Sequence, residues 1–174
     1  SLDQALVRVI EKRYRIEDRL TIDVSIFDEE GTLLNRSWAL NEASVENQNR
    51  SGVLDAILEV DRRPVSSFGC DGVLISTPTG STAYAFSAGG PVLWPSLDAI
   101  LVVPNNAHAL FTKPLVVSPN SLVAVESTMR TTPATVILDG FREFAMPAGA
   151  RVEVVRGERP VRWVRLDDQP FTDR

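Results

Sequence analysis

Gly72-Val-Leu-Ile-Ser-Thr-Pro-Thr-Gly-Ser-Thr-Ala-Tyr-Ala-Phe-Ser-Ala-Gly-Gly-Pro91 is the stretch from which the rest of the chain can be read. Val73 to Ser76 has the make-up of a buried strand, and Thr77-Pro78 turns the chain out of it. A short helical segment follows and is stopped by Gly89-Gly90-Pro91. Within the turn, Thr77, Thr79, Ser81 and Thr82 offer hydroxyls, and the small residues let backbone N–H groups approach a ligand closely. Such a loop suits a polar molecule carrying a ribose or a phosphate, although a hydroxyl-rich turn also serves purely structural ends. It is not a P-loop, because no lysine stands between Pro64 and His108. Nor is it a nucleophile elbow, because Gly80-Ser81-Thr82 has the wrong spacing.

Outward from that stretch the pattern is of short strands. Ile22, Val24 and Ile26 alternate with polar residues, and Asp28-Glu-Glu-Gly31 signals a hairpin. Val53 to Val60, Ile100 to Val103, Leu115 to Val117 and Leu122 to Glu126 are predicted as further strands. Thr135 to Leu138, Arg151 to Val155 and Val161 to Leu166 continue the series. Asp61-Arg-Arg-Pro64, Ser118-Pro-Asn120, Asp139-Gly140 and Pro147-Ala-Gly149 separate them. Ser1 to Lys12 is predicted as a helix, with Leu2, Ala5, Leu6, Val9 and Ile10 on one face and Ser1 with Gln4 as a capping box. That apolar stripe calls for a partner surface. The expected fold is mainly β, a sandwich rather than a βαβ sheet, with an N-terminal helix and one short internal helix. Residues 1–174 read as one domain, and both ends look cut.

Composition narrows the function classes. A chain of 174 residues with 44% apolar and 24% charged residues is of ordinary globular type. Nothing in it approaches the roughly 20 apolar residues of a membrane span, and no signal-peptide layout opens it. One cysteine, Cys70, cannot staple the fold, which points to a reducing, cytoplasmic setting. With a single histidine besides, a structural zinc site is close to excluded, and no metal ligands are assigned. A net charge of −5 argues against nucleic acid and anionic membranes as partners.

Other candidates are more local. Asn41-Glu42 places an amide beside a carboxylate, able to donate to a base edge and accept from a ribose diol. Such pairs also populate solvated turns. Asp71 precedes the Gly72 strand and reads equally as a turn aspartate. His108 lacks an evident partner for a general base. Trp38, Trp94 and Trp163 each lie in or beside apolar runs and are expected in the core or an interface.

Taken together, these pieces resemble the C-terminal, nucleotide-binding domain of NAD kinases, most nearly the actinobacterial members. Thr77 to Tyr84 is similar to the family signature Thr-Pro-x-Gly-Ser-Thr-Ala-Tyr. Ala39-Leu-Asn-Glu42 comes before it, and Asp71-Gly72 leads into it. Ser87-Ala-Gly-Gly-Pro91, Pro95-Ser-Leu-Asp98, Pro104 to Leu110, Lys113-Pro-Leu-Val116 and Asp139-Gly140 follow in family order.

The resemblance implies the β-sandwich-like half of the NAD kinase/diacylglycerol kinase-like fold, with a Rossmann-like N-terminal domain outside these residues. It implies phosphorylation of the 2′-hydroxyl of the adenosine ribose of NAD, giving NADP, with ATP or polyphosphate as donor and Mg²⁺ accompanying ATP. Asn41 and Glu42 are expected at base and ribose, and Thr79, Thr82, Ala83 and Tyr84 around the adenosine half. Ala85, Phe86 and Ser87 carry that wall on towards the nicotinamide end. Asp71, joined by Asn106, is expected to reach a neighbouring subunit's site, which implies a homo-oligomer. The family's Gly-Gly-Asp-Gly motif is absent from this sequence, so no catalytic residue is assigned and these residues alone are expected to be inactive. Phe141 stands where the family often has glutamine. A lipid kinase would lack both the Asn-Glu pair and the Thr-Ala-Tyr helix start. The alternative reading is a non-catalytic nucleotide-binding β-sandwich module.

Overall fold

The computed structural model describes residues 2–49, 52–107, 113–128 and 132–166. It begins with α1 (Leu2–Ile10), whose apolar stripe finds no cover: Leu2 and Ile10 are 77% and 79% exposed. The expected cap at Ser1 lies outside the described residues, as does His108. Four strands follow: β1 (Arg15–Arg19), β2 (Ile22–Phe27), β3 (Leu33–Ala39) and β4 (Glu42–Asn47). Next come β5 (Leu54–Val60), β6 (Arg63–Cys70) and β7 (Gly72–Ser76), then a 3₁₀ turn (Thr79–Thr82) and the short helix α2 (Tyr84–Ser87). The remainder is β8 (Ile100–Asn105), β9 (Leu115–Val117), β10 (Val123–Ser127), β11 (Ala134–Leu138), β12 (Arg142–Met146), β13 (Arg151–Arg156) and β14 (Val161–Arg165).

Two six-stranded sheets carry the fold, ordered β3-β2-β13-β10-β5-β6 and β12-β11-β4-β7-β8-β9, with β1 and β14 paired apart. All pairings are antiparallel. Alternation explains the packing. Ile22, Val24 and Ile26 of β2 and Val123 and Val125 of β10 face Val45, Val73, Ile75 and Val136 of the second sheet in one shared core. Two turns set register through left-handed residues: Gly31 (φ 84°) between β2 and β3, and Asp61-Arg62 (φ 52° and 65°) between β5 and β6.

The second sheet is covered on both faces, which positions the site. Every residue of β7 is buried. Its outward Leu74, with Leu101 and Val103 of β8, packs against Ala85 of α2 and Leu93 in a separate small core. A five-residue strand buried on both sides reads as a continuous apolar run, as Val73 to Ser76 does.

Strands β1, β4, β6 and β12 lie where none is expected from the pattern. β6 and β12 are edges, where Pro64 and charged residues are tolerated and apolar alternation is weak. β1 pairs only with β14 and is largely exposed. β4 hides for another reason: Ala43 and Val45 enter the core while Glu42, Ser44 and Glu46 turn their polar side chains beneath the loop that precedes α2. The tryptophans are not core residues either. Trp38 and Trp94 are half exposed, and Trp163 is partly exposed with the Arg19 guanidinium 5.3 Å from its ring centre.

Candidate nucleotide site

Leu40 and Asn41 link β3 to β4, and this turn is clamped from two sides. On one side stands Asp139, held in a left-handed conformation (φ 51°) just after β11. Its carboxylate accepts the backbone N–H groups of Asn41 at 2.7 Å, Leu40 at 3.1 Å and, more weakly, Glu42 at 3.4 Å. The Asp139 N–H in turn donates to the Glu42 carbonyl at 3.0 Å. Arg142 completes the arrangement with a 2.8 Å ion pair to Asp139 and a 3.3 Å hydrogen bond to Ser37 Oγ. Its guanidinium lies between the rings of Trp38 and Phe141, 5.5 and 5.4 Å from their centres.

The Ser/Thr loop clamps the other side. Thr77 donates its N–H to the Asn41 carbonyl at 2.9 Å and its hydroxyl to the Leu40 carbonyl at 2.5 Å, while accepting the Gly80 N–H at 3.1 Å. Ser76 Oγ also donates to the Asn41 carbonyl, at 3.1 Å. Ser81 Oγ donates to the Pro78 carbonyl at 2.7 Å and accepts the Leu93 N–H at 2.9 Å. Gly80 is seated so closely on the turn that a Cβ there would stand 2.0 Å from the Asn41 carbonyl oxygen. Half of the loop's hydroxyls, Thr77 and Ser81, are therefore structural. Thr79 and Thr82 have no such duty, and Thr82 is exposed.

Glu42 sits where the clamps meet. It is 4% exposed, and its Oε2 has no hydrogen-bond partner. Burial, then the neighbouring Asp139 charge, pushes its carboxyl up to about 7, against a hydrogen bond from the Tyr84 N–H that favours the ionised form. A buried carboxylate with one oxygen unclaimed is an acceptor waiting for a donor.

The structure thus brings Asn41, Glu42, Thr79, Thr82, Ala83 and Tyr84 into one constellation. Tyr84, the first residue of α2, joins this group to a second one. Its hydroxyl takes a 3.4 Å hydrogen bond from Asn105 Nδ2, and Asn106 Nδ2 donates to Asp71 Oδ2 at 2.7 Å. Asp71 and Asn106 thus form a pair, but at the opposite end of β7 from Asn41. Ala85 is wholly buried against Leu74 and Val103 and serves as an anchor, while Phe86 and Ser87 face solvent. Glu46, Asn105 and Arg142 are neighbours of the site that the sequence reading passed over. The i, i+2, i+4 spacing of Glu42, Ser44 and Glu46 is the signal that places Glu46 on the same face. Cavities of about 600 and 540 Å³ lie elsewhere, around Arg151 with Glu126 and beside Trp38 with Arg36, and neither is lined by Asn41, Glu42 or the loop. Among the described residues no group of three or more His, Cys, Asp and Glu gathers as a metal site, and no helix is long and apolar enough to cross a membrane.

Comparison with known families turns on the segment just described. The family described as ATP-NAD kinase C-terminal domain matches residues 40–166, from the clamped turn to the end of the last sheet. The chain belongs to that family. An NAD kinase of Corynebacterium glutamicum is 74% identical over 174 residues, covering 100% of this chain and 60% of the relative. The chain spans little more than half the length of the curated relatives it matches. Among solved structures, yeast NADH kinase complexed with NADH superimposes with a TM-score of 0.88 at 20% identity, over 96% of this chain and 51% of that one. An NAD kinase of Archaeoglobus fulgidus in complex with ATP gives 0.77 at 29% identity, over 97% and 61%. The ATP-NAD kinase C-terminal domain accordingly has the mainly β, two-sheet architecture expected of it.

Proposed function

We propose that this domain binds NAD as acceptor within an NAD kinase, which moves the terminal phosphoryl group of ATP, or of polyphosphate, to the 2′-hydroxyl of the adenosine ribose and so makes NADP. The observation that carries the reading is Glu42: a buried carboxylate with an unpaired oxygen, on a turn clamped by Asp139 and Thr77. A ribose hydroxyl supplies the missing donor, and Asn41 beside it can donate to and accept from an adenine edge. The solved relatives named with NADH and with ATP support a nucleotide in this family's site.

The remaining assignments follow that geometry. Thr79, Thr82, Ala83 and Tyr84 wall the adenosine half, with Ala85 to Ser87 continuing towards the nicotinamide. Asp71 and Asn106, already paired with each other, present their polar groups outward to a nicotinamide amide in a second copy's site, which makes the working enzyme a homo-oligomer. Phosphoryl transfer needs positioning and charge neutralisation. In our reading those come from an N-terminal domain of the enzyme and from Mg²⁺ travelling with ATP. Among the described residues no cluster of His, Cys, Asp and Glu gathers to hold the ion. A cytoplasmic location, where Cys70 stays reduced, goes with this function.

Two measurements test the proposal. Full-length protein supplied with ATP or polyphosphate should convert NAD to NADP. The 174-residue chain should show saturable NMR shifts with NAD that Asn41→Ala abolishes, yet form no NADP. NADP formation by this chain alone would refute the placing of catalysis outside it. Unaltered binding by Asn41→Ala would refute the placing of the acceptor.

A further inference from the structure

The chain crosses from the first sheet to the second at Leu40-Asn41, where β3 gives way to β4. β3 is an edge of the first sheet and β12 an edge of the second, so no strand pairing joins the two. Arg142, the first residue of β12, joins them instead. By alternation it shares a face with Phe144 and Met146, which pack on the common core, so its side chain leaves β12 on the inner side. From there it reaches both sides of the crossing. On the first sheet Nη1 donates to Ser37 Oγ at 3.3 Å, and the guanidinium carbon stands 5.5 Å from the ring centre of Trp38. On the second sheet Nη2 pairs with Asp139 at 2.8 Å, and the ring centre of Phe141 is 5.4 Å away. Asp139 carries that hold to the crossing itself through the N–H groups of Leu40 and Asn41. A tight hairpin makes this possible. Asp139 and Gly140 are both left-handed (φ 51° and 76°), and the Phe141 N–H donates to the Leu138 carbonyl at 3.2 Å.

We infer that Arg142 is a positioning residue of the acceptor site: it braces the two sheet edges across the Leu40-Asn41 crossing and holds Asp139 against it. This rests on the reading of Asn41 and Glu42 as NAD contacts. Arg142 acts through Asp139 and Ser37 and not on the ligand. The task needs a planar fork, because a lysine ammonium can pair with Asp139 but cannot also span to Ser37 and lie flat against aromatic rings. Arg142 Nε is buried without a hydrogen-bond partner among the described residues, which lowers stability. What the residue supplies is position. A turn braced beforehand spares NAD the ordering of Asn41 and Glu42, so the effect falls on affinity rather than on turnover.

The test uses the full-length protein and two readouts. Arg142→Met should raise KM for NAD about tenfold, the worth of one hydrogen bond to a charged group, with kcat within about twofold. Arg142→Lys keeps the charge but loses the fork, and should raise KM about threefold. Phe141→Ala, at a position 74% exposed, should also raise it about threefold. Combining Arg142→Met with Asp139→Asn should be no worse than the worse single change, because both act on one turn. The second readout needs no ligand. Hydrogen exchange read by mass spectrometry should quicken about tenfold more in Arg142→Met for the peptide holding Leu40 and Asn41 than for β10, three strands away from β3. A residue that merely stabilised the fold would quicken both alike. The inference is overturned by a wild-type KM in Arg142→Met or, should that variant not fold, in Arg142→Lys. Losses that multiply in the double variant, or equal quickening of the two peptides, overturn it as well. Failure of the wild-type protein to take NAD overturns instead the reading of the site, and it is told apart because exchange at Leu40 and Asn41 still responds to Arg142.

Discussion

Glutamine in place of Glu42 should stabilise the domain, and by an amount that depends on pH. Glu42 is 4% exposed, and its carboxyl is raised from 4.5 to about 7, first by burial and then by Asp139. Below pH 4.5, the value of the unfolded chain, both states carry the proton and Glu42 costs nothing. Between there and about pH 7 the folded domain keeps a proton that the unfolded chain has lost, so stability falls as pH rises. Above both values the penalty levels off at about 3 kcal/mol. Glutamine has the same shape, but it never ionises. Its amide nitrogen, set where Oε2 finds no partner, returns about 1 kcal/mol of that gain. The expected net stabilisation at pH 8 is therefore about 2 kcal/mol, shrinking to nothing near pH 5. Urea denaturation followed by tryptophan fluorescence at pH 5, 6, 7 and 8, with unchanged slopes, reads it directly. A wild-type-to-variant gap that stays constant across this range, or a variant less stable at pH 8, would show that Glu42 is not the strained buried acid described here.

The same carboxyl should make NAD binding tighten from pH 6 to pH 8, because a ribose hydroxyl donates better to the ionised form. Calorimetric titration should show this slope in the wild type and a flat profile in Glu42→Gln. Gly80→Ala forces a Cβ to 2.0 Å from the Asn41 carbonyl oxygen, so the loop must lift. We expect a loss of about 3 kcal/mol in thermal or urea unfolding, together with loss of NAD binding. Asp139→Ala strands the Leu40 and Asn41 N–H groups and the Arg142 charge, at a cost of about 3 kcal/mol, and Asp139→Asn should recover part of it. Cys70 is buried and its thiol is pushed up to about 12, so it should resist a thiol reagent at pH 8 until urea unfolds the chain.

How much of this was legible beforehand differs by layer. The two-sided burial of β7 shows in Val73 to Ser76 as an unbroken apolar-to-small run, and the hairpin at Asp28 to Gly31 shows in its turn residues. Strands that carry the edge or the site do not show, because Glu42, Ser44 and Glu46 look like surface until a loop is laid over them. The candidate site is proposed from its spelling, Asn41-Glu42 and Thr79 to Tyr84, and only through resemblance. Its supports do not show in the sequence. Nothing local says that Asp139 will cap a turn 98 residues earlier, or that Gly80 must be seated against that same turn. Such partners are created by strand order, which no window of sequence contains.

The clamp at Asn41 has one more consequence, for how the domain comes into being. Three segments meet there, from the β3–β4 turn, the loop after β7 and the hairpin after β11, separated by 36 to 99 positions along the chain. None can hold the turn before both sheets have closed, since β4 lies between β11 and β7. Pairings this distant are late and cooperative. The Leu40 and Asn41 amides should therefore exchange their hydrogens only through whole-domain opening, among the slowest in the molecule. A partly folded chain has no half-built clamp: the turn is held from both sides or the domain has not finished folding.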